Sequence, residues 1–173
     1  EDRGVEIHEG EPVTSIDTDS DGVTVTTSQG EYRAKILVGA DGSKGMVRRS
    51  VGLQDRGHVA RLLEVLTPES RSAPEFQEQF ANFDFTPMTS GLQGYYWDFP
   101  SLIGGEPYMN RGVFDARIIS QRPRARLKDI LAESMAARDR SLADYELKGH
   151  PLRWFSPDSA FNCPNVLLVG DAA

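Results

Sequence analysis

Over the first forty positions, polar residues alternate with apolar or β-branched ones in short runs separated by turn formers. Residues 13–17 and 23–27 alternate or are rich in β-branched side chains, and Asp19-Ser20-Asp21-Gly22 between them is turn chemistry. Gln29-Gly30 is a second turn, before a third run over residues 31–34, so the pattern predicts an antiparallel meander. Ile36-Leu37-Val38 then abandons the alternation. A wholly apolar run of this kind suits a strand covered on both faces, as in a parallel sheet. Val166-Leu167-Leu168-Val169 repeats the pattern near the other end of the chain.

Between these two runs the pattern predicts a short helix over residues 44–51 ended by Gly52, a strand over 59–66 and a loop over 67–74. Phe76, Phe80 and Phe83 have helical spacing, but 82–85 reads better as strand. Strands follow over 94–99 and 108–119, with 100–107 between them as a loop around Gly104-Gly105. Pro123 opens a helix that carries Leu127, Ile130, Leu131 and Met135 on one face. A last strand is expected over 145–155. The predicted class is α/β (mixed α+β), with the two apolar strands in one sheet. Residues 1–55 and 156–173 form one domain, and 56–155 form a β-rich domain inserted into it.

The net charge is −7, and up to Glu31 the only basic residue is Arg3, which argues against nucleic acid as a partner. The one basic cluster, Arg122, Arg124, Arg126 and Lys128, reads as the solvated face of a helix. Cys163 stands alone, so no disulfide framework or cysteine metal site is expected, and a cytoplasmic setting is the default. His8, His58 and His150 lack ligand spacing, so no metal is predicted. No apolar run is long enough to span a bilayer. The chain begins with Glu1 and carries no signal-peptide pattern, and it is expected to be a piece of a longer protein whose other parts it needs.

Asp41 and Asp171 follow the two apolar runs directly, beside Gly39, Gly42 and Gly170. Ligands of open α/β sheets bind beyond the carboxyl ends of strands, where glycines admit close approach and a carboxylate can hold a sugar hydroxyl. The plainer alternative is that each aspartate caps the helix after it.

Ile36-Leu37-Val38-Gly39-Ala40-Asp41-Gly42-Ser43, continuing to Val47-Arg48, resembles the "DG" motif of flavoprotein hydroxylases. Val166 to Ala173 resembles their "GD" motif, and together the two resemblances span nearly the whole chain. The resemblance implies an FAD-dependent oxidoreductase with a Rossmann-like cofactor domain and NAD(P)H as reductant. It implies that Asp171, beside Gly170, binds the ribityl or ribose-side hydroxyls of FAD. Asp41, beside Gly42, would lie near the pyrophosphate, with Arg48 as the motif's arginine. Gly45 stands where the family usually has Ser.

Tyr95-Tyr96-Trp97-Asp98-Phe99-Pro100 is similar to the Tyr-x-Trp-x-Phe-Pro motif of geranylgeranyl reductases. The Gly-x-Gly that follows that motif has its nearest counterpart in Gly112-Val113-Phe114. Tyr95, Trp97 and Phe99 share one face of a strand and are the expected wall for an apolar or aromatic small-molecule substrate, with Met109 and Arg111 as further candidates. Their alternative role is a core face. No acid, base or nucleophile is assigned, since the flavin would carry the reaction. The expected activity is monooxygenation, with reduction of isoprenoid double bonds as the alternative. A binding module that has lost the cofactor is the third. The family's Gly-x-Gly-x-x-Gly element does not occur in these residues, so the isolated chain is expected to be inactive.

Overall fold

The computed structural model describes residues 4–154 and 156–173. Among these residues, eleven strands and three α-helices follow in the order β1 (Val13–Asp19), β2 (Gly22–Thr27), β3 (Glu31–Ala34), β4 (Leu37–Gly39), α1 (Val47–Ser50), β5 (Val59–Pro68), α2 (Pro74–Gln77) and β6 (Asn82–Asp84), then β7 (Gly94–Ile103), β8 (Glu106–Asp115), α3 (Leu127–Ala136), β9 (Lys148–Arg153), β10 (Asn162–Cys163) and β11 (Val166–Leu168). Two compact units divide the chain: residues up to His58 with Arg153–Ala173, and Val59–Leu152. Among the described residues no helix is long and apolar enough to cross a membrane.

In the first unit β1, β2 and β3 form the expected antiparallel meander. Its first turn is closed by Asp19, whose carboxylate accepts the N–H groups of Asp21 (2.8 Å) and Gly22 (3.1 Å). A second sheet has the order β10-β11-β4. The two apolar runs do meet in it, as a parallel pair with Leu37 opposite Val166 and Gly39 opposite Leu168. Ile16, Val23, Val47, Val166 and Leu168 make the core. The runs are covered on one face only among the described residues. Ile36, Val38, Leu167 and Val169 lie exposed, because successive side chains of a strand point to opposite faces. The short β10, absent from the sequence expectation, is a two-residue strand too brief to leave a periodic signal.

The second unit is a five-stranded sheet of order β6-β7-β8-β5-β9 with α3 packed on one face. Leu127, Ile130, Leu131 and Met135, the face expected of the helix, are all buried against Val65, Leu92, Tyr96 and Val113. The helix starts at Leu127 rather than at Pro123, because Arg126 has a non-helical ψ of 80°. The predicted loop over 100–107 is instead a tight hairpin: β7 and β8 pair as far as Ile103 with Glu106, leaving only Gly104-Gly105 as the turn. Strand β8 ends at Asp115, four residues early, and Arg117 just beyond it adopts a left-handed φ of 54°.

Candidate functional site

The parallel pairing of β4 and β11 brings the two aspartates to one edge. Both strands leave the sheet at the same end, and Val169 N–H donates to Gly39 O (3.0 Å), so Gly39-Ala40-Asp41 and Val169-Gly170-Asp171 depart side by side. Gly42 and Gly170 take φ of +73° and +59°, which glycine adopts without strain. Asp171 is exposed in a 3-10 turn, Gly170–Ala172. Asp41 is also exposed, but its carboxylate turns back and accepts the N–H of Val47 (2.9 Å), capping the short helix α1. A Cβ at Gly45 would lie 2.2 Å from the Asp41 carboxyl carbon. A side chain at position 45 therefore requires Asp41 to abandon that bond. An apolar groove lined by Val13, Val25, Leu37, Val38 and Met46 runs up to Asp41.

Arg48 is buried, and its guanidinium faces main-chain carbonyls rather than an open surface. It donates to Ala172 O (3.2 Å), Gln54 O (2.9 Å) and Ala160 O (2.9 Å), and also to Ala173 O. The arginine of the first strand-end motif thus holds the turn of the second. Arg153 adds a bond to the carbonyl of Ser43, in the loop after Asp41 (2.9 Å).

In the other unit, Tyr95, Trp97 and Phe99 lie on the sheet face opposite α3. Phe83 and Phe114 join them from the neighbouring strands and Phe85 from the residue after β6, with ring centroids 4.9–5.6 Å apart between Phe83 and Phe99, Phe83 and Tyr95, Phe85 and Tyr95, Tyr95 and Phe114, and Trp97 and Phe99. Trp97 crosses directly over Gly112, where a Cβ would lie 2.2 Å from the indole. Its Nε1–H donates to Asn110 Oδ1 (2.8 Å), and Asn110 Nδ2 donates to Glu64 Oε2 (3.0 Å). An aromatic layer therefore carries one polar line, ending in a carboxylate. Phe83 and Phe85 are 49% and 55% exposed, so the layer is open rather than a sealed core.

The α3 side of the same sheet carries a buried charge network. Asp98 accepts from Tyr96 OH (2.8 Å) and Arg138 Nε (2.7 Å), and Arg111 Nε lies 3.2 Å away without hydrogen-bond alignment. Arg111 also bonds Thr67 (2.7 Å) and Glu69 (3.0 Å). The guanidinium of Arg138 sits 4.2 Å over the Tyr96 ring. Burial, reinforced by the Asp98 charge, pushes the Tyr96 phenol far above its ordinary range. The hydroxyl of Thr86, helped by Arg138, holds Asp84 below the usual carboxylate range.

A family model for the FAD-binding domain matches residues 1–173. The chain belongs to the FAD-binding domain family. It is 27% identical to digeranylgeranylglycerophospholipid reductase 3 of Methanosphaera stadtmanae, over 99% of this chain and 43% of that one. It is 28% identical to the 12-dehydrotetracycline 5-monooxygenase/anhydrotetracycline 6-monooxygenase of Streptomyces rimosus, over 98% of this chain and 35% of that one. The crystal structure of a geranylgeranyl bacteriochlorophyll reductase-like protein from Thermoplasma acidophilum superposes with a TM-score of 0.65 at 22% identity, covering 94% of this chain and 41% of that one, which is a likeness of fold. The chain thus spans about two fifths of the length of the proteins it matches.

Within this FAD-binding domain chain, Asp41, Gly42, Gly170 and Asp171 come together at one sheet edge, and Arg48 lies beneath them. Tyr95, Trp97 and Phe99 assemble in the other unit. Met109 and Arg111 do not share their face: Met109 pairs with Pro100 and Arg111 with Asp98, which puts both on the α3 side. Asn110, Gly112 and Phe114 take that place instead. Glu64 and Asn110 were missed by sequence reasoning, since only the strand register brings them beside the tryptophan.

Proposed function

We propose that the chain forms part of an FAD-dependent oxidoreductase that takes NAD(P)H as reductant and acts on an apolar or aromatic small molecule. The observation that carries this is the parallel pairing of β4 with β11, which sets Asp41 and Asp171 at one sheet edge. In this reading the pair belongs to a Rossmann-like sheet, and the unit Val59–Leu152 is the substrate domain inserted into it. The residues fit the cofactor's chemistry. The exposed Asp171 carboxylate has no partner among the described residues and is free to accept hydroxyls of the ribityl chain. The Gly170 and Gly42 turns leave main chain accessible to a pyrophosphate. Arg48 does not touch the cofactor but fixes the turn that presents Asp171. When bound, FAD supplies the electron transfer. The protein supplies orientation and an apolar wall of Tyr95, Trp97 and Phe99, with Glu64 and Asn110 as the polar groups that fix a substrate's pose.

Monooxygenation is the primary activity in this reading. Reduction of a carbon–carbon double bond is the second, favoured by the seating of Trp97 on Gly112, which ties the aromatic motif to the nearest counterpart of the reductases' glycine element. The test is FAD content and affinity of the full-length protein, read from flavin absorbance, beside Asp171→Ala. Loss of hydrogen bonds to a charged acceptor, about 1.5–3 kcal/mol, weakens FAD binding about 10- to 150-fold. A protein without flavin that takes up none overturns the proposal and makes both aspartates simple caps. With flavin present, isotopic oxygen in the product marks monooxygenation, and saturation of a double bond without oxygen marks reduction.

A further inference from the structure

Residues 117–128 hold Arg117, Arg122, Arg124, Arg126 and Lys128 and no acidic residue, in a chain whose net charge is −7. The basic cluster is not the solvated face of a helix: Arg122, Arg124 and Arg126 all precede α3, on the segment that joins it to β8. Those three and Lys128 are exposed, and so are two large apolar residues of the same segment, Ile118 at 66% and Ile119 at 42%.

The segment is held in shape rather than left loose. Buried Ala116 anchors its start, donating its N–H to Gln93 O (2.9 Å), and buried Leu127 anchors its end. The Gln93 side chain grips Ile119 from both sides, donating to its carbonyl (3.0 Å) and accepting its N–H (2.6 Å). Two isoleucines are thus kept at the surface where collapse inward would bury them. The acidic groups nearby are few. Asp129 pairs with Arg126 at 2.8 Å, an exposed contact of little net strength, and Glu133 borders the groove that Arg122 and Arg124 also line.

We propose that residues 117–128 are a docking surface for an anionic lipid bilayer, with Ile118 and Ile119 entering the interface and the arginines and Lys128 on the headgroups. Exposed apolar side chains and cations on one short surface segment are what a peripheral membrane contact uses. A nucleic acid would use the cations but not the isoleucines, and the segment has no aromatic side chain on which a base could stack. The attachment is peripheral and is independent of the cofactor reading.

The test is co-flotation of the full-length protein with vesicles of phosphatidylglycerol and phosphatidylcholine, against vesicles of phosphatidylcholine alone, at low and high salt. The expected result is binding to the anionic vesicles only, lost at high salt. The double change Arg122→Ala with Arg124→Ala weakens it roughly 25-fold, about fivefold per charge. Ile118→Ser weakens it about tenfold at unchanged charge. All these positions are exposed, and an unaltered circular dichroism spectrum checks that the variants fold. Absence of binding to anionic vesicles overturns the proposal. So does binding that Ile118→Ser leaves untouched, and so does capture of duplex DNA in place of vesicles, which would assign the cluster to a nucleic acid.

Discussion

The two faces of the five-stranded sheet are built from the same strands and by opposite rules. Toward α3, the side chains of β7 and β8 are Tyr96, Asp98, Arg111 and Val113, buried and bonded to one another or packed on the helix. Away from it, the alternating partners are Tyr95, Trp97, Phe99 and Phe114, with Asn110 as the polar one, and all but Trp97 are half-buried. One face is satisfied by its own protein. The other buries Trp97 but leaves Phe83 and Phe85 at its margin within reach of solvent, with a line of polar groups from the indole to Glu64.

That contrast is broken most strongly at Asp98. Asp98→Ala takes from buried Arg111 and half-buried Arg138 the acid they share, though Arg111 keeps Glu69, and a loss of about 3 kcal/mol is expected in urea unfolding of the full-length protein. Next is Gly112→Ala, where the new methyl meets both the indole of Trp97 and the carbonyl of Leu63. Overpacking of this kind costs about 1–3 kcal/mol. It also displaces Trp97 from Asn110, which near-ultraviolet circular dichroism reads directly.

Tyr96→Phe removes one buried hydrogen bond and is expected to cost about 1 kcal/mol at neutral pH. The raised phenol pKa gives the sign of its pH dependence. The protonated phenol is favoured by folding, so its contribution is complete below the ordinary tyrosine value of about 10 and is lost as pH rises above it. The variant therefore shows a flatter alkaline limb than the parent in unfolding measured between neutral and high pH. The smallest effect on stability belongs to the open face. Phe83→Ser is expected within about 0.5 kcal/mol of the parent. If the layer is the substrate wall proposed above, its consequence is instead a raised KM for an apolar substrate. A large loss of stability would show that the aromatic layer is a core after all.

Much of this arrangement was legible in the chain. The meander followed from β-branched alternation and turn residues, and the helix face from Leu127, Ile130, Leu131 and Met135, because local periodicity reports local burial. The meeting of Ile36-Leu37-Val38 with Val166-Leu167-Leu168 followed from likeness of pattern. The polar line from Trp97 through Asn110 to Glu64 was not legible, since it depends on register among three strands and no single segment carries it. The helix start was misplaced because Pro123 fits a first turn equally well as the end of an extended segment. Arg48 was read by its motif as a cofactor residue. Its carbonyl partners at Gln54, Ala160 and Ala172 are mostly distant in sequence and invisible to spacing.

The bond from Arg48 to Ala172 and the pairing of β4 with β11 have a consequence for the order of events during synthesis. Asp41 leaves the ribosome long before Asp171, and until β11 emerges, β4 lacks its parallel neighbour. Everything between must be made first, and the entropy of closing that long loop is offset only when the late strand docks. The paired turns therefore cannot assemble until β11 has emerged, and a polypeptide halted before β11 would lack them altogether.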